Sequence, residues 1–341
     1  MVRPAGACTL VSAPASDRDA GVFLRHGGRL AAAKGAFPDA PAPWLDLSTG
    51  INPRAYPAPR ATPEALRRLP DPEEVRALEA VAARAFGVDA DRVVATPGTE
   101  AALRVLPRIL GARSAAIVSP TYGGHAEAWR LAGAKVKAVT ADQIAASAAE
   151  AVVLVRPNNP DGAVVCAPDL AGRWLIVDEA FVETAPQLSV AAEAGPRTIV
   201  LRSFGKFYGL PGVRLGFVIA EPGLAARVAA QFGDWPVGAE AIAAGLAAYA
   251  DDAWAERTRL RLAADAARLN GLLIASGFNV LGGTSLFRLA SAPDAGRRFE
   301  HLARCGVLTR PFPDQPTWLR FGLPKPKDWP RLKAALESFR P

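Results

Sequence analysis

Seven short aliphatic runs, each parted from the next by a stretch of helical character, leave this chain very few folds. They cover 92–96, 115–118, 135–139, 151–155, 174–177, 198–201 and 215–219. A strand with one wet face alternates apolar and polar residues, whereas these runs are apolar almost throughout. They therefore predict strands covered on both faces, as in a parallel sheet packed between helices. The expected fold is α/β: a large domain with a mostly parallel seven-stranded sheet flanked by helices, plus a smaller α+β domain. The smaller unit draws on a helix over 251–276, two short strands near 278–281 and 286–289, and helices over 294–305 and 328–339. In these terms residues 1–70 are an arm and a segment contributing to the small domain. Residues 71–245 are the large domain and 246–341 the small one, in keeping with two domains for 341 residues. Before Asp71 the chain is proline-rich and reads as irregular, with 45–47 its one expected strand.

Composition removes several functions. Forty basic residues oppose thirty-three acidic ones, but they form no stripe interleaved with aromatics, so no nucleic-acid partner is expected. The diffuse net charge of +7 suits anionic small substrates. Cys8, Cys166 and Cys305 lie far apart with no CxxC pair, which reads as isolated thiols in a reducing cytoplasm. His26, His125 and His301 are equally dispersed, so no metal is expected. No run approaches the ~20 apolar residues of a membrane span. The apolar stretch up to Ala15 is broken by Gly6, Cys8, Thr9, Ser12 and Pro14, and reads as a loosely packed arm rather than a signal peptide.

In such sheets ligands gather at the carboxyl ends of the strands, so the polar residues that follow each run carry the chemistry. Lys206 is the only lysine between Lys137 and Lys325 and follows a predicted strand in Ser203-Phe-Gly-Lys206-Phe-Tyr-Gly-Leu-Pro-Gly-Val-Arg214. In an arginine-favouring chain this points to a need for an amine, which condenses with a carbonyl where a guanidinium cannot. A solvated loop lysine is the plain alternative. Gly98-Thr99 turns a strand into a helix whose first amides favour an anion such as phosphate, or simply caps that helix. Asn159 follows another strand in a turn-forming segment, and Asp178 ends an apolar strand where a carboxylate needs a cationic partner or a cap to make. Tyr122, after Ser119-Pro-Thr, offers an aromatic plane or an ordinary core ring. Taken together these suit one group: a phosphate cradle, a stacking ring, a hydrogen-bond donor, a counter-ion for a protonated ring nitrogen and an imine-forming lysine.

From about Leu45 to the C-terminus the sequence resembles the aspartate-aminotransferase-like, fold-type I pyridoxal-phosphate enzymes. The resemblance implies pyridoxal 5′-phosphate as cofactor, its phosphate held by Gly98, Thr99, Ser203 and Arg214. It implies Tyr122 stacked on the ring, Asn159 donating to the phenolic oxygen, Asp178 pairing the ring nitrogen, and Lys206 as the imine lysine and proton carrier. In Trp-Leu-Arg320-Phe-Gly, Arg320 matches the family's carboxylate-binding arginine.

A narrower likeness rests on His26-Gly27-Gly28-Arg29, Leu45-Asp-Leu-Ser-Thr-Gly-Ile-Asn52-Pro, Leu69-Pro-Asp-Pro and Gly282-Gly-Thr-Ser-Leu-Phe. These are similar to the threonine-phosphate decarboxylases of cobalamin biosynthesis, in the form found in the aerobic pathway. Histidinol-phosphate aminotransferases are the next most similar and lack the His-Gly-Gly start. The likeness implies a phosphorylated amino acid as substrate, with His26, Gly28, Arg29 and Arg310 near its phosphate and Arg320 at its carboxylate. It also implies a homodimer. The expected reaction is decarboxylation of O-phospho-L-threonine; transamination, or a catalytically idle binding role, are the competing readings. Three positions depart from the family pattern: Leu69 and Phe181 stand where relatives carry tyrosine, and Gly50 where some carry asparagine.

Overall fold

The computed structural model describes residues 27–168, 170 and 172–340. His26 and the arm before it lie outside the described residues. After β1 (Leu45–Asp46), the seven runs form β2 (Val93–Thr96), β3 (Ser114–Val118), β4 (Lys135–Val139), β5 (Ala151–Val155), β6 (Trp174–Asp178), β7 (Thr198–Ser203) and β8 (Gly216–Ile219). They build one sheet in the order β2-β8-β7-β6-β5-β3-β4. The pairs among β3, β4, β5, β6 and β7 are parallel, while β8 runs antiparallel to both β2 and β7.

Alternation along the buried strands sorts side chains into two cores. Val152 and Leu154 face one, Ala151 and Val153 the other. The helices that cover these faces start and stop where local chemistry says they should. In α2 (Pro72–Phe86), after α1 (Leu30–Ala36), the Asp71 carboxylate accepts from the Glu73 N–H at 2.8 Å, and the Glu74 carboxylate accepts from the Asp71 N–H at 2.9 Å. That is a reciprocal cap, with Pro72 at the first helical position and left-handed Gly87 closing the far end. α3 (Thr99–Leu110), α4 (Gly123–Leu131), α5 (Phe204–Phe207), α6 (Pro222–Phe232) and α7 (Ala239–Tyr249) complete the surroundings of the sheet. Among the described residues no helix is long and apolar enough to cross a membrane.

The long helix α8 (Asp252–Ala275) leads to β9 (Asn279–Thr284), β10 (Phe287–Ser291), α9 (Ala295–Arg304), β11 (Val307–Leu308), β12 (Arg310–Pro311), β13 (Trp318–Gly322) and α10 (Trp329–Glu337). Strands β12-β13-β10-β9 make an antiparallel sheet, and β1 pairs in parallel with β11. The long helix, the hairpin and the two terminal helices follow the expected pattern within a residue or two at most ends. The stretch before Asp71 corrects the expectation of an irregular segment. Leu30–Ala36 is helical, because Leu-Ala-Ala-Ala-Lys are strong helix formers and the next proline, Pro38, lies beyond the end of the helix.

Two glycines let the turn after β5 touch the smaller sheet. A Cβ at Gly162, where φ is +74°, would lie 2.0 Å from the Gly283 carbonyl oxygen, and one at Gly282 would lie 2.3 Å from that of Asp161. No other residue type permits so close an approach of two backbones. Gly162→Ala is expected to cost about 1–3 kcal/mol from backbone strain, with further loss from the steric overlap. Thermal or urea unfolding of the two proteins checks this.

Candidate active site

A parallel sheet brings the carboxyl ends of its strands to one edge, and β8, being reversed, brings its amino end there too. A cavity of about 340 Å³ opens at that edge. It is lined by Gly98 and Thr99 after β2, Tyr122 after β3, Asn159 after β5, Asp178 at the end of β6, Ser203 at the end of β7, and Lys206. Arg214, just before β8, and Arg310 and Arg320 from the smaller sheet complete it. Ten of the thirteen residues expected in a site thus meet in one cavity. Gly28 and Arg29 do not line it: both are exposed, with Arg29 at the N-terminus of α1, while the neighbouring Gly27 takes the place on the wall.

The anion-favouring corner is built around Gly98. Its φ of +88° turns the chain from β2 into α3, whose first amides open toward the cavity. A Cβ there would meet Arg214 Nη2 at 2.6 Å, so the bare glycine admits the guanidinium. Arg214 itself holds a left-handed backbone (φ 57°), a strained state for a residue with a side chain, and donates to the Pro211 carbonyl at 3.1 Å. Gly216 sits between Ser203 and Thr96 in the sheet register, and a Cβ on it would lie 2.5 Å from the Thr99 nitrogen. Two missing side chains thus create this corner.

Adjacent polar residues divide their duties. Asp178 accepts from His125 Nε2 at 2.9 Å and from the Ala180 N–H at 2.9 Å, and both side chains are buried. Its neighbour Glu179 turns away to Arg202 at 3.2 Å, to the Ser189 hydroxyl and to the Val190 N–H. Asn159 faces the cavity, whereas Asn158 braces the loop that carries Tyr122, taking a hydrogen bond from Thr121 Oγ1 at 2.6 Å and donating to the Pro120 carbonyl at 2.9 Å. The Tyr122 hydroxyl donates to Glu100 at 2.9 Å, and burial above all raises its pKa.

Lys206 lies on α5, one turn after β7. Asn52 pins that turn: its N–H donates to the Lys206 carbonyl at 2.9 Å and its side-chain amide to the Phe207 carbonyl at 2.8 Å. Tyr208 stacks on Phe204 (4.7 Å between centroids) and on Trp254 (5.6 Å), so the lysine stands on a rigid aromatic base. Burial lowers its pKa from the ordinary 10.5, the charge of Arg320 adds to that, and Asp178 opposes it. The amine therefore becomes neutral, and nucleophilic, at a lower pH than a solvated lysine.

Arg310 and Arg320 face each other in register across β12 and β13. Both are buried, and both have a guanidinium Nε without a hydrogen-bond partner among the described residues. Arg320 spends its other nitrogens on two neutral acceptors, Asn159 Oδ1 and the Ser48 carbonyl. Burial, and then the charge of Arg310, lower the pKa of Arg320 well below its ordinary value. Like charges directly opposite on paired strands repel, so the cavity wall is built for an anion.

A model of the family described as aminotransferase class I and II matches residues 44–336. The chain belongs to that family. Among its relatives is the threonine-phosphate decarboxylase of Pseudomonas aeruginosa, 39% identical over 331 residues, an alignment covering 93% of this chain and 98% of the relative. The enzyme of that name from Sinorhizobium sp is also 39% identical and covers 87% and 92%. The fold matches that of histidinol-phosphate aminotransferase from Sinorhizobium meliloti, whose structure is in complex with pyridoxal-5′-phosphate. The TM-score is 0.77 at 20% identity, covering 96% of this chain and 98% of that one.

His125 had no sequence signal, since it lies 53 positions from the aspartate it holds. Glu100, Thr49 and Gly27 line the cavity as neighbours of residues already singled out. Titrating the protein, free of small molecules, with an amine-directed reagent is expected to show Lys206 reacting with a midpoint below 10.5. Arg320→Gln, which removes a positive neighbour, should move that midpoint upward; peptide mapping by mass spectrometry follows both.

Proposed function

We propose that this chain, a pyridoxal-phosphate enzyme, decarboxylates O-phospho-L-threonine to (R)-1-amino-2-propanol O-phosphate. One observation carries the choice of substrate class: two buried guanidiniums face each other on the cavity wall and meet no carboxylate among the described residues. A substrate with a carboxylate and a phosphate supplies both missing charges. The decarboxylase relatives at 39% identity support the same reading.

The residues fit the cofactor. The first amides of α3, with Thr99, Ser203 and Arg214, would hold its phosphate in the corner that Gly98 leaves open. Tyr122 would cover the ring, Asn159 would donate to its phenolic oxygen, and Asp178 would pair its protonated nitrogen. When bound, the cofactor supplies an electron sink for the bond broken at the substrate α-carbon. His125 and the Ala180 N–H hold Asp178 in one orientation, so its charge is fixed before substrate arrives. Arg320 would take the substrate carboxylate and Arg310 its phosphate, with His26 and Arg29 as further candidates for the phosphate from the N-terminal segment. Holding both ends of a short molecule decides which bond at the α-carbon stands perpendicular to the ring, and the remote phosphate provides binding energy for that orientation. Lys206, with its lowered proton affinity, would deliver the proton that replaces CO₂.

This reading also gives the chain a homodimeric state in the cytoplasm. Leu66, in a single helical turn over Ala65–Arg67, and Leu69 just after it are 59% and 62% exposed, apolar groups that a second subunit would cover. Light scattering at micromolar concentration should give twice the chain mass, and Leu69→Glu should shift it toward the monomer.

The deciding assay incubates the protein, loaded with cofactor, with phosphothreonine. CO₂ release without keto-acid formation is expected; exchange with 2-oxoglutarate and histidinol phosphate would assign it to transamination instead. Asp178→Asn should lower turnover by about 10²–10³ while changing KM far less. In Lys206→Ala, borohydride should no longer fix cofactor to the peptide that contains residue 206.

A further inference from the structure

Ser48, only 2% exposed and next in the chain to the cavity-lining Thr49, has every polar group engaged. Its hydroxyl accepts from the Gly28 N–H at 2.7 Å and donates to Asp46 Oδ1 at 2.6 Å. Its own N–H donates to the same carboxylate oxygen at 2.9 Å. Its carbonyl accepts from Arg320 Nη2 at 2.8 Å. Gly27 packs directly on that carbonyl: a Cβ at Gly27 would lie 2.2 Å from the Ser48 oxygen. Gly27 in turn forms part of the cavity wall. One residue therefore grips the wall segment with its hydroxyl and the guanidinium with its carbonyl.

We propose that Ser48 is a positioning residue that couples the seating of Gly27–Gly28 on the cavity wall to the placement of Arg320 for its anion. The proposal rests on the reading of Arg320 as the group that meets the substrate's carboxylate. Arg320 is held between two fixed acceptors, Ser48 on one side and Asn159 on the other, and offers its remaining surface to the cavity. Lifting Gly27–Gly28 opens the Ser48 carbonyl to water and loosens one of those two acceptors. Seating the segment restores it. An anion on Arg320 favours the held arrangement, and linkage requires the reverse as well: the seated segment raises affinity for the anion by the same factor. Asp46 makes the grip rigid, since its one oxygen fixes both the hydroxyl and the amide of Ser48.

The test uses the full chain with cofactor and 3-phosphonopropionate as probe, which carries both anionic groups and no reactive amine. Two quantities are read: hydrogen–deuterium exchange of the peptide containing the Gly28 amide, and the dissociation constant of the probe. In the parent the probe should slow exchange of that peptide. Ser48→Ala should speed its exchange about tenfold or more, abolish the slowing by probe, and weaken the probe by about tenfold, the effect of losing one hydrogen bond. Ser48→Thr, which keeps the hydroxyl, should restore both. Gly27→Ala keeps Ser48 intact but drives the segment off its carbonyl, and should reproduce both defects; it carries the test if Ser48→Ala does not fold. Slow exchange in Ser48→Ala, or probe affinity equal to the parent's, would overturn the proposal. Failure of the parent to bind probe would remove the anion site on which it rests. A parent that binds probe yet releases no CO₂ from phosphothreonine would sink only the decarboxylase reading, and the exchange data would still decide the role of Ser48.

Discussion

The site depends on where the strands of one sheet end. Parallel strands deliver Thr96, Val118, Val155, Asp178 and Ser203 to a common edge, and the reversed β8 brings Arg214 to the same edge from its amino end. Each strand is apolar along its length because helices cover both faces, so polarity is confined to the residues that follow. A carboxylate, an amide, a hydroxyl and an amine from distant parts of the chain are thereby collected without any loop having to fold around a ligand. The rigidity of the sheet becomes the precision of the cavity.

Electrostatics then divides the cavity into regions of opposite demand. The corner at α3 combines helix amides with Arg214 and calls for an anion, as does the wall formed by Arg310 and Arg320. Between them, Asp178 calls for a cation, and it is the Asp178 charge that limits how far burial and Arg320 depress the proton affinity of Lys206. Two anionic needs and one cationic need describe a ligand set more sharply than any single residue does. A cofactor with a phosphate and a ring nitrogen, together with a substrate bearing two anionic ends, satisfies all three.

What could be read in the sequence follows from the same geometry. Asn159, Asp178 and Lys206 were legible because each follows an apolar run, so its place at a strand end is written locally; Ser203 came only with the family resemblance. His125, Ser48 and the pairing of Arg310 with Arg320 were not, since each matters through a contact between segments far apart in the chain. β12 has only two residues, and the apolar run of β13 is broken at its centre by Arg320 itself. The helix Leu30–Ala36 was hidden by the weight given to nearby prolines, although its own residues favour a helix. For Gly28 and Arg29 the motif is in the sequence but its role is not written there: both are exposed, and of their segment it is Gly27 that lines the cavity.

The neighbouring carboxylates of Asp178 and Glu179 have a consequence for how the chain reaches this state. At the end of β6 and of β7 alike, one residue serves the cavity and its neighbour serves a buried ion cluster: Asp178 with Glu179, just past β6, and Ser203 with Arg202. A strand shifted by a single position would exchange these duties, sending Glu179 toward the cavity and stranding Arg202, a fully enclosed guanidinium, without its counter-charges. Hydrophobic residues alone discriminate weakly against such a slip, because the strand is apolar on both faces and Val for Ile costs little. The arginine makes the misaligned sheet expensive, so near-native competitors are thinned out during folding by an ion cluster that takes no part in binding.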